Sequence, residues 1–188
     1  MTTAAIIIAR GDSKRLPGKN GLDFQGKPVL AWNILKAKQF FPAVYFSSES
    51  KALREIAEKF GAITIERPPE LALDDVPNIP VYVHAYKFMN NPDLVVSLQS
   101  NSPTLPEERI QTALAIMEIP SIQELTTVDA KLKVHGSIWA LKRQRLLNYG
   151  DPFTYKAEIF MFDDSVDIHT REDFENAKKQ YTHNSISR

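Results

Sequence analysis

An unbroken apolar run near the start of the chain constrains the fold more than any other feature. Residues Ala4–Ala9 are apolar at every position, a pattern typical of a strand that is buried on both faces. The run ends in a loop, Arg10–Asn20, that is rich in glycine, serine and cationic side chains. Pro28 then opens a helix-like pattern, since proline is favoured in the first turn of a helix. A buried strand that leads into a basic loop and a helix is typical of α/β proteins that hold phosphate groups.

Strand and helix patterns alternate along the rest of the chain. Further strands are predicted at Ala43–Phe46, Ala62–Ile65, Leu94–Leu98, Leu125–Val128, Ser137–Leu141 and Ile159–Phe162. Helices are predicted at Pro28–Phe41, Glu49–Phe60, Ile79–Met89, Pro106–Met117 and from Thr170 to about Tyr181. The last of these opens with Thr170-Arg171-Glu172-Asp173, which resembles a capping box. This alternation predicts an α/β fold, a Rossmann-like three-layer α/β/α sandwich around a mostly parallel sheet. Ligands of such sheets bind at the carboxyl ends of the strands, which points to the loops Arg10–Asn20, Arg67–Asn78 and Gln99–Pro103.

Length, charge and composition narrow the class of protein. A chain of 188 residues suits one domain, which we expect over residues 1–182, followed by a disordered polar tail over 183–188. The formal net charge of zero argues against a broad nucleic-acid surface. The absence of cysteine excludes disulfides, thiolate metal sites and cysteine nucleophiles, and it fits a cytoplasmic location. No apolar run approaches the length of a membrane span, so no membrane partner is expected.

Positive charge is concentrated in the first loop although the whole chain is neutral. The segment from residue 10 to residue 27 holds Arg10, Lys14, Arg15, Lys19 and Lys27 against Asp12 and Asp23. The loop lacks both the Gly-x-Gly-x-x-Gly spacing of a dinucleotide fold and the Gly-Lys-Ser/Thr of a P-loop. Its spacing alone therefore leaves two interpretations open, a site for one polyphosphate and a solvated basic turn.

The same loop and its continuation, Ile7–Asn20 followed by Gly26–Trp32, resemble the signature of the acylneuraminate cytidylyltransferases, the CMP-sialic acid synthetases. The CMP-KDO synthetases share a looser version, and Asn20 favours the sialic acid side. Three later segments match the family in the right order: Arg67–Ala72 resembles its base-binding loop, Leu98–Pro103 its Leu-Gln-Pro-Thr-Ser-Pro element, and Ser165–Asp173 the element that opens its last helix. The resemblance implies the nucleotide-diphospho-sugar transferase type of the fold.

The resemblance also implies an activity and a set of site residues. The activity is transfer of CMP from CTP to a sugar acid, sialic-acid-like or related, with release of pyrophosphate. Lys19 and Arg10 are the expected catalytic cations, because negative charge grows on the phosphoryl oxygens during this transfer. Nucleotide binding is assigned to Ala9, Arg10, Gly11, Ser13, Lys14, Lys19, Asn20, Arg67 and Asn78, and substrate binding to Gln99, Asn101, Ser102, His135 and Gly136. The expected cofactor is Mg²⁺, or alternatively Mn²⁺, at Asp167 and His169, and the expected partners are CTP, a small sugar-acid acceptor and a second copy of the chain in a homodimer.

Two of the chain's departures from the family's pattern bear most on the implied activity. His169 stands where the family has a second metal-binding aspartate, and imidazole is a poor ligand for Mg²⁺, so a helix-start histidine without a metal role is the alternative. Residues Asp129–Val134 are all that remains of a longer family segment that builds sugar contacts and a dimer arm, and His135 takes the position of an asparagine. Two other functions therefore stay open, a catalytically degenerate nucleotide-binding relative with a regulatory or assembly role, and a transferase that uses another base.

Overall fold

A computed structural model describes residues 1–186 of the chain. Its strands are β1 (Thr3–Ile8), β2 (Asp23–Phe24), β3 (Lys27–Pro28), β4 (Val44–Ser48), β5 (Ile63–Glu66), β6 (Leu94–Leu98), β7 (Glu124–Val128), β8 (Val134–Lys142) and β9 (Ile159–Phe162). Its helices are α1 (Val29–Phe40), α2 (Lys51–Lys59), α3 (Asn78–Tyr86), α4 (Glu107–Met117), α5 (Arg143–Leu147) and α6 (Arg171–Ile186). No helix within residues 1–186 combines the length and the apolar character that crossing a bilayer requires.

In the main sheet, successive strands of the chain are added first on one side of β1 and then on the other. Its strand order is β5-β4-β1-β6-β8-β7-β9, and every strand except β8 runs in the same direction. The chain moves from β1 outward through β4 to β5 and then returns to the other side of β1 at β6. The switch point between β1 and β6 is where a ligand cleft is expected in such a sheet. The predicted mostly parallel α/β sheet is confirmed.

Alternating side chains of β1 divide the interior into two apolar layers. Ala5 and Ile7 are buried in the core that the sheet shares with α1, α2 and α4. Ala4 and Ile6 are buried in the core on the opposite face, against α3 and α5. Successive residues of a strand point to opposite faces, so a strand between two helical layers needs apolar residues throughout. This confirms the three-layer sandwich.

A third, smaller apolar cluster holds α6 against the beginning of α1. Phe24, Val29, Ile168 and Phe174 are all buried in it. The helix begins with a reciprocal cap around Thr170: its Oγ1 accepts a hydrogen bond from the Asp173 N–H at 3.2 Å, and its own N–H donates to the Asp173 carboxylate at 2.7 Å. The cap was predicted from the sequence, and together with the cluster it fixes Ile168 next to the first loop.

Several boundaries differ from those predicted. The hairpin β2–β3 and the short α5 were not predicted, and β8 is longer than its predicted segment. The hairpin turns at Gln25 and Gly26, both with positive φ, which is a turn geometry that two-residue loops favour. Helix α6 ends later than predicted, at Ile186 rather than near Tyr181. Residues 187–188 lie outside the described part of the chain, and the disordered tail stays a prediction.

Replacing Asn33 with alanine should lower the free energy of unfolding by about 1–3 kcal/mol. Asn33 is fully buried on α1, and its amide donates to the Gln99 carbonyl at 2.7 Å and to the Ser102 carbonyl at 3.0 Å. The Gln99 carbonyl would lose this donor inside the protein, and the Ser102 carbonyl would keep only its bond from the Leu105 N–H at 3.1 Å. Urea unfolding measures the change. Gln39→Ala is the matched control, because Gln39 lies on the same helix and its amide bonds Glu107 at the exposed surface. Equal losses in the two variants would show that burial of the Asn33 amide is not what ties α1 to this loop.

Candidate functional site

The three loops predicted to form the site meet at the carboxyl ends of β1, β5 and β6. They enclose a cleft of about 430 Å³, within the range of small-molecule sites. The predicted residues that line it are Ala9, Arg10, Ser13, Lys14, Lys19, Asn20, Arg67, Asn78, Gln99, Asn101 and His169. The lining also includes residues that the sequence analysis had not assigned: Asp12, Arg15, Leu71, Leu73, Asp74, Val76, Val81, Tyr82, Ser97 and Ser100. The predicted residues Gly11, Ser102, His135, Gly136 and Asp167 lie outside the lining.

Lys19 is a half-buried cation held in a fixed position. Gly18 before it has a φ of 67°, a left-handed conformation that glycine adopts without strain. The Lys19 Nζ donates a hydrogen bond to the Ile168 carbonyl at 2.8 Å. Burial lowers the pKa of Lys19, and although Asp167 offsets part of this change, the nearby Arg15 and Arg10 add to it. An ammonium group has three donors, so the bond to Ile168 leaves two for a ligand.

Arg10 and Lys14 are joined across the mouth of the cleft by one carboxylate. Asp74, on the loop after β5, pairs through Oδ1 with the Arg10 guanidinium and through Oδ2 with the Lys14 ammonium. These hydrogen bonds from Lys14 and Arg10 hold the pKa of Asp74 below its ordinary value. Arg10 also donates to the Ala72 carbonyl at 3.4 Å. The first loop and the loop after β5 are therefore tied together by charge.

Arg67 has a structural part in the site because it connects three segments. Its buried guanidinium donates to the Ala9 carbonyl at 2.6 Å and to the Glu49 carboxylate at 2.6 Å. The other Glu49 oxygen accepts the Gly11 N–H at 2.6 Å. Burial alone would raise the pKa of Glu49, but these hydrogen bonds hold it below its ordinary value. A Cβ at Gly11 would lie 2.9 Å from the Ser50 Cβ, so only glycine permits this approach to the start of α2. Gly11 thus shapes the loop from outside the cleft.

The end of the cleft formed by α3 is largely apolar. Leu71, Val76 and Val81 line it, and Asn78 stands at the start of the helix. Tyr82 closes this end, with its hydroxyl donating to Ser97 at 2.8 Å and its pKa raised by burial. The cleft therefore has one cationic end and one apolar end, which suits a ligand with a charged tail and a flat, weakly polar head.

The loop after β6 contributes two amide side chains to the lining. Gln99 donates to the His135 carbonyl at 3.0 Å, and Asn101 donates to the Ile168 carbonyl at 3.1 Å. Gly136 has a φ of 73°, and a Cβ there would lie 3.2 Å from the Gln99 Nε2. The missing side chain at Gly136 thus makes room for Gln99, and the predicted substrate contact of Gly136 stays a prediction.

His135 and Ser102 are not among the residues that line the cleft, and their predicted part in substrate binding stays a prediction. Ser102 donates its hydroxyl to Asp167, and His135 Nε2 lies 2.8 Å from the Ser165 carbonyl oxygen and 3.8 Å from an Asp167 oxygen. His135 Nδ1 is also 3.8 Å from the buried Asp163 carboxylate. The imidazole thus lies between two enclosed carboxylates, and these polar side chains contact one another.

Asp167 and His169 do not form a metal site on their own. His169 Nδ1 lies 3.1 Å from a guanidinium nitrogen of Arg15. Arginine can only donate, so this histidine nitrogen accepts and the ring is neutral. Burial lowers the pKa of His169 to about 4, with Lys19 and Arg15 adding to the effect. Within residues 1–186 no group of three or more His, Cys, Asp or Glu is arranged to hold a metal ion. Of the predicted pair, only the Asp167 carboxylate is the hard oxygen ligand that Mg²⁺ prefers.

The sequence carried signals for two of the residues that were missed. Glu49 follows directly after β4, the neighbour of β1, and carboxyl ends of adjacent parallel strands meet at one edge of the sheet. Arg15 lies inside the basic loop, and only its partner His169, 154 residues away along the chain, required the structure. The bridge from Asp74 to Arg10 and Lys14 had no local signal.

Comparisons with known proteins show which family the chain resembles. The family model described as cytidylyltransferase matches residues 4–138. An N-acylneuraminate cytidylyltransferase of Oncorhynchus mykiss is 28% identical over 138 residues, which cover 72% of this chain and 31% of that protein. The N-acylneuraminate cytidylyltransferase of Escherichia coli O18:K1:H7 is 34% identical over 116 residues, 61% of this chain and 28% of that protein. The matches thus span less than a third of these two relatives.

A solved structure gives the same answer for the fold. A CMP:2-keto-3-deoxy-manno-octonic acid synthetase complexed with CTP superposes with a TM-score of 0.80 at 17% identity, covering 98% of this chain and 100% of that one. At this identity the likeness concerns the fold, and it confirms the nucleotide-diphospho-sugar transferase type. The family match includes the first loop and extends to β8, and it covers more than half of the chain. The chain therefore belongs to the cytidylyltransferase family.

Proposed function

We propose that this chain transfers CMP from CTP to a sugar acid and releases pyrophosphate. The observation that carries the proposal is the charge layout of the cleft, in a chain of the cytidylyltransferase family. Four cationic side chains, Arg10, Lys14, Arg15 and Lys19, line one end, and the other end is apolar around Tyr82. A triphosphate fits the cationic end and a pyrimidine fits the apolar end.

Chemistry of this kind depends mainly on positioning and charge. The acceptor hydroxyl attacks the α-phosphorus, a new P–O bond forms, and the P–O bond to the β-phosphate breaks as pyrophosphate leaves. Lys19 is held by the Ile168 carbonyl in advance of the reaction, so it can neutralise growing negative charge without reorganising. Arg10 and Lys14 hold the outer phosphates, and Gln99 and Asn101 face the acceptor or the ribose.

Recognition of the base falls to Arg67 and Asn78 in this proposal. The Arg67 Nε is buried and has no hydrogen-bond partner within the described residues. Buried donors are normally paired in native proteins. A cytosine carbonyl at the apolar end of the cleft would supply the missing acceptor, which supports a pyrimidine as the bound base.

Of the predicted metal pair, Asp167 is the residue that would hold Mg²⁺ in this proposal, although it is not among the residues that line the cleft. Mg²⁺ is commonly held by one or two carboxylates together with substrate phosphates and waters. When bound, the ion would supply positive charge that stabilises the negative charge on the phosphate groups. Asp167 is held by Ser102, and burial raises its pKa although His135 and Ser102 act against that rise. The homodimer and the cytoplasmic location inferred from the sequence stay predictions.

A second function is favoured by one specific observation, the neutral His169 in place of a carboxylate. In that case the chain binds CTP as a regulatory or assembly partner and transfers nothing. Pyrophosphate release separates the two functions, with CTP, Mg²⁺ and a panel of sugar acids that includes N-acetylneuraminate and 3-deoxy-manno-octulosonate. Release with one of these acids supports the transferase. CTP binding without release from any of them supports the second function.

CTP should raise the melting temperature of the protein more than UTP, ATP or GTP at equal concentration. A ligand that binds only the folded chain stabilises it by about 2.7 kcal/mol at a hundred times its Kd. Differential scanning fluorimetry with the four nucleotides gives the order directly. Cytidine without phosphates is the control for the cationic end, and it should stabilise far less. A larger shift with a purine nucleotide would contradict the assignment of the base.

Lys19→Ala should lower turnover by about 10²–10³-fold, because one preorganised donor to the transferring group is lost. The free energy of unfolding should fall by only about 1 kcal/mol, the value of a single hydrogen bond. Steady-state pyrophosphate release and urea unfolding measure the two quantities on the same preparation. Lys51→Ala, at an exposed lysine of α2, is the control and should change neither. A loss of turnover no larger than that of the control would remove Lys19 from the catalytic role.

His169→Asp should lower the Mg²⁺ concentration needed for half-maximal activity by about tenfold, which corresponds to about 1.4 kcal/mol of added binding. The change places a second hard oxygen ligand beside Asp167. A magnesium titration of pyrophosphate release measures it. His169→Asn is the control, because it removes the imidazole without adding charge. Identical magnesium curves for the two variants would show that position 169 has no part in metal binding.

A further inference from the structure

Asp74 holds the two cations that a triphosphate needs. Each of its carboxylate oxygens pairs with a different cation, Oδ1 with Arg10 and Oδ2 with Lys14. All three side chains line the same cleft. A carboxylate that bridges two cations presents the same chemistry as two phosphate oxygens, since both are charged acceptors of N–H bonds. The free protein therefore carries its own anion at the cationic end of the cleft.

The loop that carries Asp74 is weakly attached. Leu73 beside it is 57% exposed, and the turn is closed by a long backbone hydrogen bond of 3.3 Å from the Val76 N–H to the Leu73 carbonyl. The Asp74 side chain is itself about half exposed, at 51%. Exposed ion pairs contribute little to stability. The carboxylate can therefore leave the two cations at small cost when a stronger anion arrives.

Repulsion among the cations explains why such an anion is needed. Arg10 and Arg15 both act to lower the pKa of Lys19, which shows that these cations affect each other inside the cleft. Asp74 screens the two outermost cations, Arg10 and Lys14, while no ligand is present. It also competes with any ligand that uses them.

We propose that Asp74 sets the affinity of the cleft for the outer phosphates, by standing in for them on Arg10 and Lys14 until CTP displaces it. The proposal rests on the proposed function for the identity of the nucleotide. It predicts a selective effect: CTP and the leaving pyrophosphate must displace Asp74, whereas CMP, which lacks the outer phosphates, does not. After transfer, Asp74 pairs again with Arg10 and Lys14, which lowers the affinity of the cleft for the pyrophosphate product.

The chain offers a matched control in the next residue. Asp75 is exposed, lies on the same loop, and does not line the cleft. No hydrogen bond or ion pair joins it to Arg10 or Lys14 among the described residues. Asp74→Asn and Asp75→Asn change the net charge by the same amount at neighbouring positions. Any difference between them therefore reports the bridge and not the overall charge.

The experiment is isothermal titration calorimetry of the wild-type chain, Asp74→Asn and Asp75→Asn with CTP, inorganic pyrophosphate and CMP at low salt. Asp74→Asn should bind CTP and pyrophosphate about threefold to tenfold more tightly than the wild type, the value of one or two exposed ion pairs. Asp75→Asn should stay within about twofold for both ligands, and the affinity for CMP should not change in either variant. Raising the salt to about 0.3 M should shrink the gain, since exposed charges are screened.

Unchanged or weaker binding of pyrophosphate by Asp74→Asn, or an equal gain in both variants, would overturn the proposal. The titration with pyrophosphate tests the role of Asp74 without depending on which nucleotide the chain binds. A chain that does not bind CTP, but binds pyrophosphate more tightly after Asp74→Asn, would contradict the proposed function and support the role of Asp74. A chain that binds neither CTP nor pyrophosphate in any form would overturn both. Melting temperatures of the three proteins verify that each is folded.

Discussion

Mutual repulsion of cations crowded into one cleft is the constraint around which this site is built. Like charges that share one cleft repel, and this repulsion adds to burial in lowering the pKa of Lys19 through Arg15 and Arg10. Every one of these cations has an acceptor: Lys19 has the Ile168 carbonyl, Arg15 has His169, Arg10 and Lys14 share Asp74, and Arg67 has Glu49 and the Ala9 carbonyl. These acceptors come from distant parts of the chain, so the cleft forms only when the whole domain has folded.

The sheet brings these acceptors together through its strand order. Because β1, β4, β5 and β6 run parallel, the loops that follow them all lie at one edge of the sheet. The small third core adds α6 to this edge: burial of Ile168 beside Phe24 fixes the backbone whose carbonyl receives both Lys19 and Asn101. A substitution in that core is therefore expected to disturb the site although the replaced residue does not line the cleft. The reason is that the buried Ile168 side chain fixes the position of the Ile168 carbonyl.

Local patterns carried most of the fold and about half of the site. The apolar run of β1 and the reciprocal cap at Thr170 are signals within a few residues, and each was predicted correctly. The loops of the cleft were also predicted, because the ends of parallel strands share an edge. The direction in which a side chain points is not a local signal. The side chains of His135 and Ser102, for example, contact Asp167 and the buried Asp163, which come later in the chain and which no short pattern links to them. The pair of Arg15 and His169 depends on how α6 docks, which no short pattern encodes.

His169 shows how a departure from a family pattern can be understood physically. An aspartate at this position could bind a metal ion or pair with Arg15. In either case its negative charge would be neutralised by that partner. The neutral imidazole accepts from Arg15 without adding charge, so the guanidinium keeps its full positive charge for a ligand. A histidine at position 169 thus favours binding of an anion in the cleft over binding of a metal cation at the edge of the cleft. Positive charge in the cleft then comes chiefly from the side chains of the first loop.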